Sequence, residues 1–338
     1  MNVRVPPALV RLGARQVSRR VLNPRLPWEV QRRRLDKLMG SWPLPRGTSV
    51  TKTAWNGVPV EVITADHARS RTRSDGTGQA TGPASGTAMV TVVHFHGGGY
   101  CVGSPAEARS WAAHLIARTG CRVILPEYRL APEHPYPAAV DDARAVVSVT
   151  LREAAPGTVV VSGDSAGGGL ALGTALALPG ATDGGARPAG CILLSPWLDL
   201  TADWTAAPEL VRRDVVLSPA WLEACARAYV PTEDRAHPTV SPLRANLGGL
   251  PPLLIQCGTD DLVAPDSENL AARAKAAGVD VTYSRWPGMW HDFVLQPDIV
   301  AAADSALAQA AWFVARVSAP YGPAQPADTG AGPDADGG

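Results

Sequence analysis

The sequence predicts an α/β protein with a mostly parallel central sheet flanked by helices. The first observation is that short apolar runs alternate with longer helix-like segments between residues 89 and 317. The second is that these runs are continuously apolar, as expected for strands buried on both faces. Alternation of strands and helices favours parallel strands joined by crossover helices. Apolar residues make up 46% of the chain, so a sizeable core can form around such a sheet.

The individual elements follow from local signals. Gly278 ends one helix as a C′ glycine, and Ser218 followed by proline begins another as its N-cap. Strands are expected at Met89–Phe95, Cys121–Leu125, Thr158–Ser162, Cys191–Leu194, Pro252–Cys257 and Val279–Trp286. Helices are expected at Ser104–Thr119, Pro137–Ala154, Ala166–Leu178, Ala220–Val230, Pro265–Ala277 and Asp298–Val317.

Composition also predicts how the chain is divided into a core, a cap, a loop and a tail. We expect a catalytic core at 46–198 and 243–318, with a helical cap built from the N-terminal helices at 1–45 and an insertion at 199–242 that lacks a convincing strand. Residues 66–87 are small, polar and glycine-rich and predict a long flexible hairpin loop. The tail at 319–338 consists largely of alanine, proline, glycine and aspartate, and we expect it to be disordered because it cannot bury enough apolar surface.

Charge and cysteine content exclude several classes of protein. The formal net charge is zero, which gives no argument for a nucleic-acid partner. No apolar run is long enough for a signal peptide or a membrane span, so we expect no stable membrane insertion and a cytoplasmic location. The five cysteines are scattered, odd in number and without a C-x-x-C pair, which argues against a disulfide framework or a zinc site.

The segment up to Lys37 is rich in arginine, and only Glu29 and Asp36 oppose that charge. A basic amphipathic helix can bind a membrane surface or a partner. It can equally be the solvated face of a helix over the core, and the few, small apolar positions favour this second interpretation.

The strongest local signal is the pentapeptide Gly163-Asp164-Ser165-Ala166-Gly167, which fits G-x-S-x-G. It follows an apolar strand and opens a helix, as this nucleophile motif requires. The tight turn holds the serine hydroxyl at a helix N-terminus, where free N–H groups favour developing negative charge. The alternative is that this segment is a glycine-rich turn with no catalytic role.

A second motif, His96-Gly97-Gly98-Gly99-Tyr100, comes directly after a strand. Acyl transfer needs N–H donors aimed at one oxygen, and glycines allow the backbone to turn and approach the substrate. We predict donors at Gly97, Gly98 or Gly99, together with Ala166. A phosphate-binding loop is disfavoured because no G-K-[ST] follows.

A serine nucleophile needs a base, and the base needs an orienting carboxylate. In chain order the acid and then the histidine follow such a serine. His237 and His291 follow Ser165, and His291 is the better base because it lies in a loop after the last strand. The candidate acids after Cys257 are Asp260, Asp261 and Asp266. Asp260 comes soonest after the strand and is preferred, whereas Asp266 suits a helix N-terminus.

Together these motifs resemble the bacterial hormone-sensitive-lipase family of α/β-hydrolases. The matching segments are HGGGY at 96–100, EYRLAPEHPYPAAVDD at 127–142, GDSAGG at 163–168, SPWLDL at 195–200, GTDDLVAPDS at 258–267 and HDF at 291–293. The resemblance covers about residues 90 to 315, and its motifs occur in the order of the family. The long 66–87 loop and the acidic tail depart from the common pattern.

The resemblance implies the α/β-hydrolase fold with a helical cap, and a serine esterase with Ser165 as nucleophile, His291 as base and Asp260 as acid. The resemblance favours Asp260 over Asp261 as the acid, because in the family the acid is usually followed by a proline or acidic residue and then by leucine. Gly97, Gly98 and Ala166 then look like the oxyanion donors. The mechanism needs no metal or other cofactor, and the family suggests a homodimer through the sheet edge or final helix.

We expect the substrate to be a small ester with a short to medium acyl chain, as the compact cap of the family implies. The aromatic side chains of Tyr100, Trp197, Trp204, Trp221 and Trp290 could line an apolar pocket or belong to the core. An amidase, a carbamate hydrolase or an acyltransferase would use the same triad. A non-catalytic receptor on this fold is disfavoured because serine, acid and histidine are all present.

Overall fold

A computed structural model describes residues 5–40, 44–66, 89–178, 186–231 and 234–319, which form an eight-stranded sheet with helices on both faces. The strands are β1 (Thr48–Trp55), β2 (Val58–Ala65), β3 (Thr91–Phe95), β4 (Arg122–Pro126), β5 (Val159–Asp164), β6 (Gly190–Leu194), β7 (Leu253–Gly258) and β8 (Val281–Trp286). The helices are α1 (Pro7–Val21), α2 (Trp28–Gly40), α3 (Arg109–Thr119), α4 (Ala138–Glu153), α5 (Ala166–Ala177), α6 (Pro208–Arg213), α7 (Pro219–Tyr229), α8 (Ala264–Ala276) and α9 (Ala301–Val317).

The sheet order is β1-β2-β4-β3-β5-β6-β7-β8. From β4 to β8 every neighbouring pair is parallel, whereas β2 is antiparallel to both β1 and β4. This confirms the mostly parallel sheet flanked by helices. It also places the carboxyl ends of β5, β7 and β8 at one edge of the sheet, where parallel α/β proteins bind their ligands.

The expectation that residues 66–87 close a hairpin is wrong, because β4 lies between β2 and β3. The hairpin is instead formed by β1 and β2, whose turn residues Asn56 and Gly57 both have positive φ, at 48° and 83°. An Asn-Gly pair is the preferred sequence for such a two-residue turn, and this signal could have identified both strands. Residues 67–87 and the predicted tail from residue 320 onward lie outside the described residues.

Each face of the sheet carries its own apolar core. On β5 the side chains of Val159 and Val161 belong to the core shared with α4, α5 and α8, whereas Val160 belongs to the core shared with α3 and α9. All three are buried. Burial on both faces explains why the central strands are continuously apolar and could be recognised from the sequence.

We call α1, α2, α6 and α7 the cap helices. Arg32 on α2 donates hydrogen bonds to the carbonyl oxygens of Cys101 (2.7 Å) and Ala131 (2.6 Å) and pairs with Glu133. The indole N–H of Trp221 on α7 donates to the side-chain oxygen of Gln31 on α2 at 3.0 Å. These contacts attach the cap helices to the loops that follow β3 and β4. None of the described helices is long and apolar enough to cross a membrane.

Gly167 provides a test of the close approach between α5 and β3. A Cβ on Gly167 would overlap the carbonyl group of Phe95, whereas a Cβ on Gly173 in the same helix would meet no atom within 4 Å. We expect Gly167→Ala to lower the free energy of unfolding by about 1–3 kcal/mol. Gly173→Ala should raise it by about 0.5–1 kcal/mol because alanine favours the helix. Urea denaturation measures both values, and equal effects of the two substitutions would contradict this packing.

Candidate active site

Ser165 lies at the sharp turn between β5 and α5. Its backbone has φ 52° and ψ −120°, a conformation that a non-glycine residue rarely adopts. The turn is held from both sides, because the Ser165 N–H donates to the carbonyl oxygen of Leu194 and the Ser165 carbonyl oxygen accepts from the Trp197 N–H, each at 2.9 Å. The surrounding strands and loops thus keep a strained serine at the carboxyl edge of the sheet.

The glycines of the G-x-S-x-G motif are required by space. A Cβ on Gly163 would overlap the backbone of Gly167, and one on Gly97 would meet the side chains of Asp164 and Ser165. The loop after β3 can therefore approach the serine only where no side chain intervenes. This close approach explains why both glycine motifs were visible in the sequence.

His291 lies in the loop after β8 and is 2% exposed. Its Nε2 lies 2.9 Å from the Ser165 Oγ, and its Nδ1 lies 3.0 Å from an Asp261 carboxylate oxygen. Serine, imidazole and carboxylate therefore form one hydrogen-bonded chain across loops that follow β5, β7 and β8. The structure brings Ser165 and His291 together, as the sequence predicted. His237 is not part of this chain, since its ring contacts Thr239.

The prediction of Asp260 as the acid is wrong in this geometry, because its neighbour Asp261 contacts the imidazole. The Asp261 side chain is 0% exposed and that of Asp260 is 15% exposed. The Asp260 N–H donates to the Met289 carbonyl oxygen at 2.9 Å, which fixes the backbone of the loop. From this loop Asp261 points inward and accepts from the Val263 N–H at 3.0 Å, whereas Asp260 points outward.

Asp260 has a different partner, the Arg11 guanidinium on α1 at 2.7 Å. Arg11 also donates to the carbonyl oxygens of Gly288, at 3.1 Å, and of Arg213 at the end of α6. One arginine thus joins α1 to the loop that carries Asp261 and to the loop that precedes His291. Sequence spacing cannot distinguish two adjacent aspartates, whereas the location of Arg11 does.

Asp266, the third candidate acid, is buried and accepts hydrogen bonds from the backbone N–H groups of Leu198 (2.6 Å) and Asp199 (3.0 Å). It lies in the first turn of α8, as the sequence indicated. Its role is to hold the loop after β6, next to the Trp197 N–H that donates to the Ser165 carbonyl oxygen.

The electrostatic surroundings favour a charged imidazole. Burial alone would lower the pKa of His291, but the carboxylates of Asp261 and Asp292 outweigh burial and hold this pKa well above its usual range. Burial raises the pKa of the nearby Asp214 to about 6. Asp214 accepts from the Leu262 N–H at 2.7 Å and so supports the loop that carries Asp261.

The loop after β3 lies beside Ser165 with a backbone suited to glycine. Gly98 and Gly99 have φ of 94° and 61°, and Gly98 lines the cavity that contains Ser165. Among the described residues, none accepts a hydrogen bond from the N–H groups of Gly97, Gly98 or Ala166. Gly99 packs against Cys225 and Trp221 of α7. Tyr128 donates from its hydroxyl to the His96 carbonyl oxygen at 2.8 Å and braces this loop.

A cavity of about 450 Å³ leads to Ser165 and His291, a size typical of small-molecule sites. Its far wall consists mostly of apolar residues of α1 and α2. The lining residues on these two helices are Leu9, Val10, Gly13, Ala14, Val17, Ser18, Val21, Leu35, Leu38 and Met39. The N-terminal helices therefore form much of the wall that a substrate would contact.

The predicted aromatic lining is largely wrong. Trp221 lines the cavity, but Tyr100, Trp197 and Trp204 do not. Tyr100 stacks on Tyr229 with ring centroids 3.9 Å apart, and Trp197 lies against Tyr100 and Trp204. These rings form an aromatic core under the cap helices. Trp290 is buried in the core on the opposite face of the sheet.

Within the described residues, no group of His, Cys, Asp and Glu side chains is arranged to hold a metal ion. The chemistry that the site can perform is set by the serine, the imidazole between serine and carboxylate, and the unpaired N–H groups beside them. This arrangement suits nucleophilic attack on a carbonyl carbon.

Comparison with known proteins shows the family of this chain. The family model for the alpha/beta hydrolase fold matches residues 92–295. The chain is 36% identical over 233 residues to an esterase from Acinetobacter venetianus, covering 68% of this chain and 76% of that protein. It is 39% identical over 202 residues to an acetyl-hydrolase from Streptomyces hygroscopicus, covering 60% and 67% of the two chains.

Solved structures show the same fold. A hormone-sensitive lipase from a metagenome library superimposes with a TM-score of 0.82 at 32% identity, covering 94% of this chain and all of that chain. The chain therefore belongs to the α/β-hydrolase fold family and, within it, to the bacterial hormone-sensitive-lipase group. It is a serine hydrolase.

Proposed function

We propose that this protein hydrolyses carboxylic esters with short to medium acyl chains through an acyl-enzyme, with Ser165 as nucleophile, His291 as general base and Asp261 as the orienting carboxylate. The observation that carries the proposal is the continuous chain of hydrogen bonds from Asp261 through His291 to Ser165. The esterases and acetyl-hydrolases to which the chain is similar support ester hydrolysis.

In the first half-reaction the Ser165 oxygen attacks the ester carbonyl carbon while its proton passes to His291 Nε2. Asp261 accepts from Nδ1–H, which fixes the tautomer and stabilises the imidazolium. The tetrahedral oxyanion accepts hydrogen bonds from the N–H groups at Gly97, Gly98 and Ala166. Loss of one such donor typically lowers the rate about 10²–10³-fold.

The first half-reaction ends when the imidazolium gives its proton to the leaving alkoxide, the alcohol departs and Ser165 is left acylated. The second half-reaction hydrolyses this acyl-enzyme. Water then enters, loses a proton to His291 and attacks the acyl-enzyme carbonyl carbon. Collapse of the second tetrahedral intermediate releases the carboxylic acid and returns the proton to Ser165. All the groups required for both steps are side chains or backbone of this chain.

The cavity defines the class of ester. Its wall from α1 and α2 is mostly apolar, and its volume of about 450 Å³ leaves room for more than an acetyl group. We place the acyl or alcohol chain of the substrate against these two helices. Amide hydrolysis, carbamate hydrolysis and acyl transfer to an alcohol or amine remain the alternative uses of the same triad.

The location and assembly of the protein are part of the proposal. All five cysteines are free and buried, which supports a reducing, cytoplasmic compartment. A homodimer through the sheet edge or α9 is our expectation for this family, and analytical ultracentrifugation tests it.

The substrate proposal is tested by hydrolysis of p-nitrophenyl esters from acetate to palmitate. We expect activity that peaks at short to medium chains and is abolished in Ser165→Ala, because the hydroxyl is the attacking group. Product analysis with an added alcohol or amine acceptor separates hydrolysis from transfer. A folded protein that cleaves amides but no ester at any chain length would contradict the proposal.

The assignment of the acid is tested by the neighbouring pair Asp261→Asn and Asp260→Asn. Asp261→Asn should lower kcat about 10³–10⁴-fold, because the imidazole loses the carboxylate that fixes its tautomer. Asp260→Asn removes the same charge one residue earlier without touching His291 and should lower kcat less than about tenfold. Steady-state kinetics on one ester measures both, and the reverse ranking would restore Asp260 as the acid.

The role of α1 is tested at Gly13, which lines the cavity and where an added Cβ meets no atom within 4 Å. Gly13→Phe should fill the cavity and lower kcat/KM for p-nitrophenyl octanoate at least about tenfold relative to the acetate. The matched control is Leu12→Phe on the same helix, since Leu12 is 58% exposed and does not line the cavity. An unchanged ratio in Gly13→Phe would show that the substrate lies elsewhere.

A further inference from the structure

Asp292 places a second carboxylate on the imidazole of the preceding residue. Its Oδ2 lies 3.1 Å from His291 Nε2, the same nitrogen that lies 2.9 Å from the Ser165 Oγ. An Asp261 carboxylate oxygen lies 3.0 Å from the other ring nitrogen, Nδ1. His291 therefore lies between two carboxylates, and Ser165 shares one ring nitrogen with Asp292.

The backbone holds Asp292 in this position. Its φ of 55° and ψ of 25° are left-handed, a conformation that aspartate, asparagine and glycine tolerate better than most residues. The Asp292 N–H donates to the Ser195 hydroxyl at 3.2 Å. The other carboxylate oxygen, Oδ1, is buried and has no hydrogen-bond partner among the described residues. The contact with His291 is thus not a by-product of another bond made by this carboxylate.

We propose that Asp292 is a positioning residue that stabilises the imidazolium form of His291 and thereby sets the pH at which Ser165 becomes reactive. The proposal rests on the proposed hydrolase function and adds a fourth side chain to the site. No motif in the sequence analysis assigned a role to this residue.

The two protonation states of His291 interact differently with Asp292. In the neutral imidazole that accepts the Ser165 proton, Nε2 presents a lone pair, and a carboxylate next to a lone pair is unfavourable. After proton transfer Nε2 carries a hydrogen and the ring is positive, so the same carboxylate becomes favourable. Asp292 should therefore favour the proton transfer that accompanies attack, and it should also favour the unreactive imidazolium at low pH.

Other acidic groups face His291 and Asp292 from several elements. Asp261 and Asp214 lie on the side of His291 that faces the loop after β7. Asp164, at the end of β5, and Glu107, before α3, face Asp292.

This surrounding cluster makes His291 the natural site of positive charge. Burial raises the pKa of Asp292 to about 7, and His291 opposes that rise. Burial also raises the pKa of Glu107 well above its usual range. Asp292 and Glu107 are thus reluctant to ionise, and the positive charge of His291 favours the ionised form of Asp292 and of Asp214.

The sign of the pH effect follows directly. The enzyme needs neutral His291, so its reactivity rises as the pH rises through the pKa of that residue. Asp292 raises this pKa, and its removal should lower it. The acid limb of the pH profile should then move to lower pH by about one unit or more. The plateau rate at high pH should fall by up to about tenfold, because one pKa unit of imidazolium stabilisation is lost.

The test compares Asp292→Asn and Asp292→Gly with the unmodified protein. Both replacements are neutral and tolerate the left-handed backbone, and thermal unfolding confirms that each is folded. The rate at which a fluorophosphonate labels Ser165 is measured from pH 4 to pH 9. Asp260→Asn is the control, since it removes a nearby carboxylate that contacts Arg11 and should leave the acid limb in place. An acid limb that stays in place in both Asp292 variants overturns the proposal.

A second measurement does not depend on hydrolase activity. In protein labelled with ¹⁵N-histidine and carrying Ser165→Ala, the His291 imidazole is titrated by NMR with and without Asp292→Asn. We expect the titration to move to lower pH when the carboxylate is removed, and an unchanged titration contradicts the proposal. If the unmodified protein fails to react with the fluorophosphonate, the proposed function is wrong, whereas this titration still decides the role of Asp292.

Discussion

The imidazole of His291 is the group on which the site depends, because it must reach a serine and a carboxylate that belong to different loops. Its two nitrogens lie within 3.0 Å of the Ser165 Oγ and an Asp261 oxygen. These loops follow β5, β7 and β8, whose relative positions are fixed by parallel pairing through β6. A shift in register between these strands would displace one end of the chain of hydrogen bonds, and so the buried sheet determines the geometry of the reaction.

The cap helices complete the site in two ways. Residues of α1 and α2 line the cavity, so that a substrate reaches Ser165 and His291 along a mostly apolar wall. Arg11 on α1 contacts Asp260 and Gly288, in the loops that also carry Asp261 and His291. The helix that contacts the substrate in our proposal is therefore also connected to the loops that perform the chemistry. At least one arginine of this basic segment, Arg11, therefore has a structural role.

Much of the fold and part of the site could be predicted from the sequence, because their physical requirements leave local signals. Strands buried on both faces are continuously apolar, and the nucleophile turn needs glycines where Gly163 and Gly167 have no room for a Cβ. The choice between Asp260 and Asp261 could not be made, since it depends on a contact with Arg11 some 250 residues earlier in the chain. The aromatic residues were misplaced for a similar reason, because side-chain identity does not distinguish the core around Tyr100 from the cavity next to Trp221.

The central claim is that Ser165 forms a covalent acyl-enzyme through the Asp261–His291 pair, and trapping this intermediate tests it most directly. The protein is mixed with p-nitrophenyl butyrate, quenched in acid during turnover, digested and mapped by mass spectrometry. The account predicts a butyryl group on the peptide that contains Ser165, accumulating to a much lower level when Asp261→Asn protein is quenched after the same short interval. A butyryl group on a different residue, or ester turnover that persists in Ser165→Ala, would contradict it.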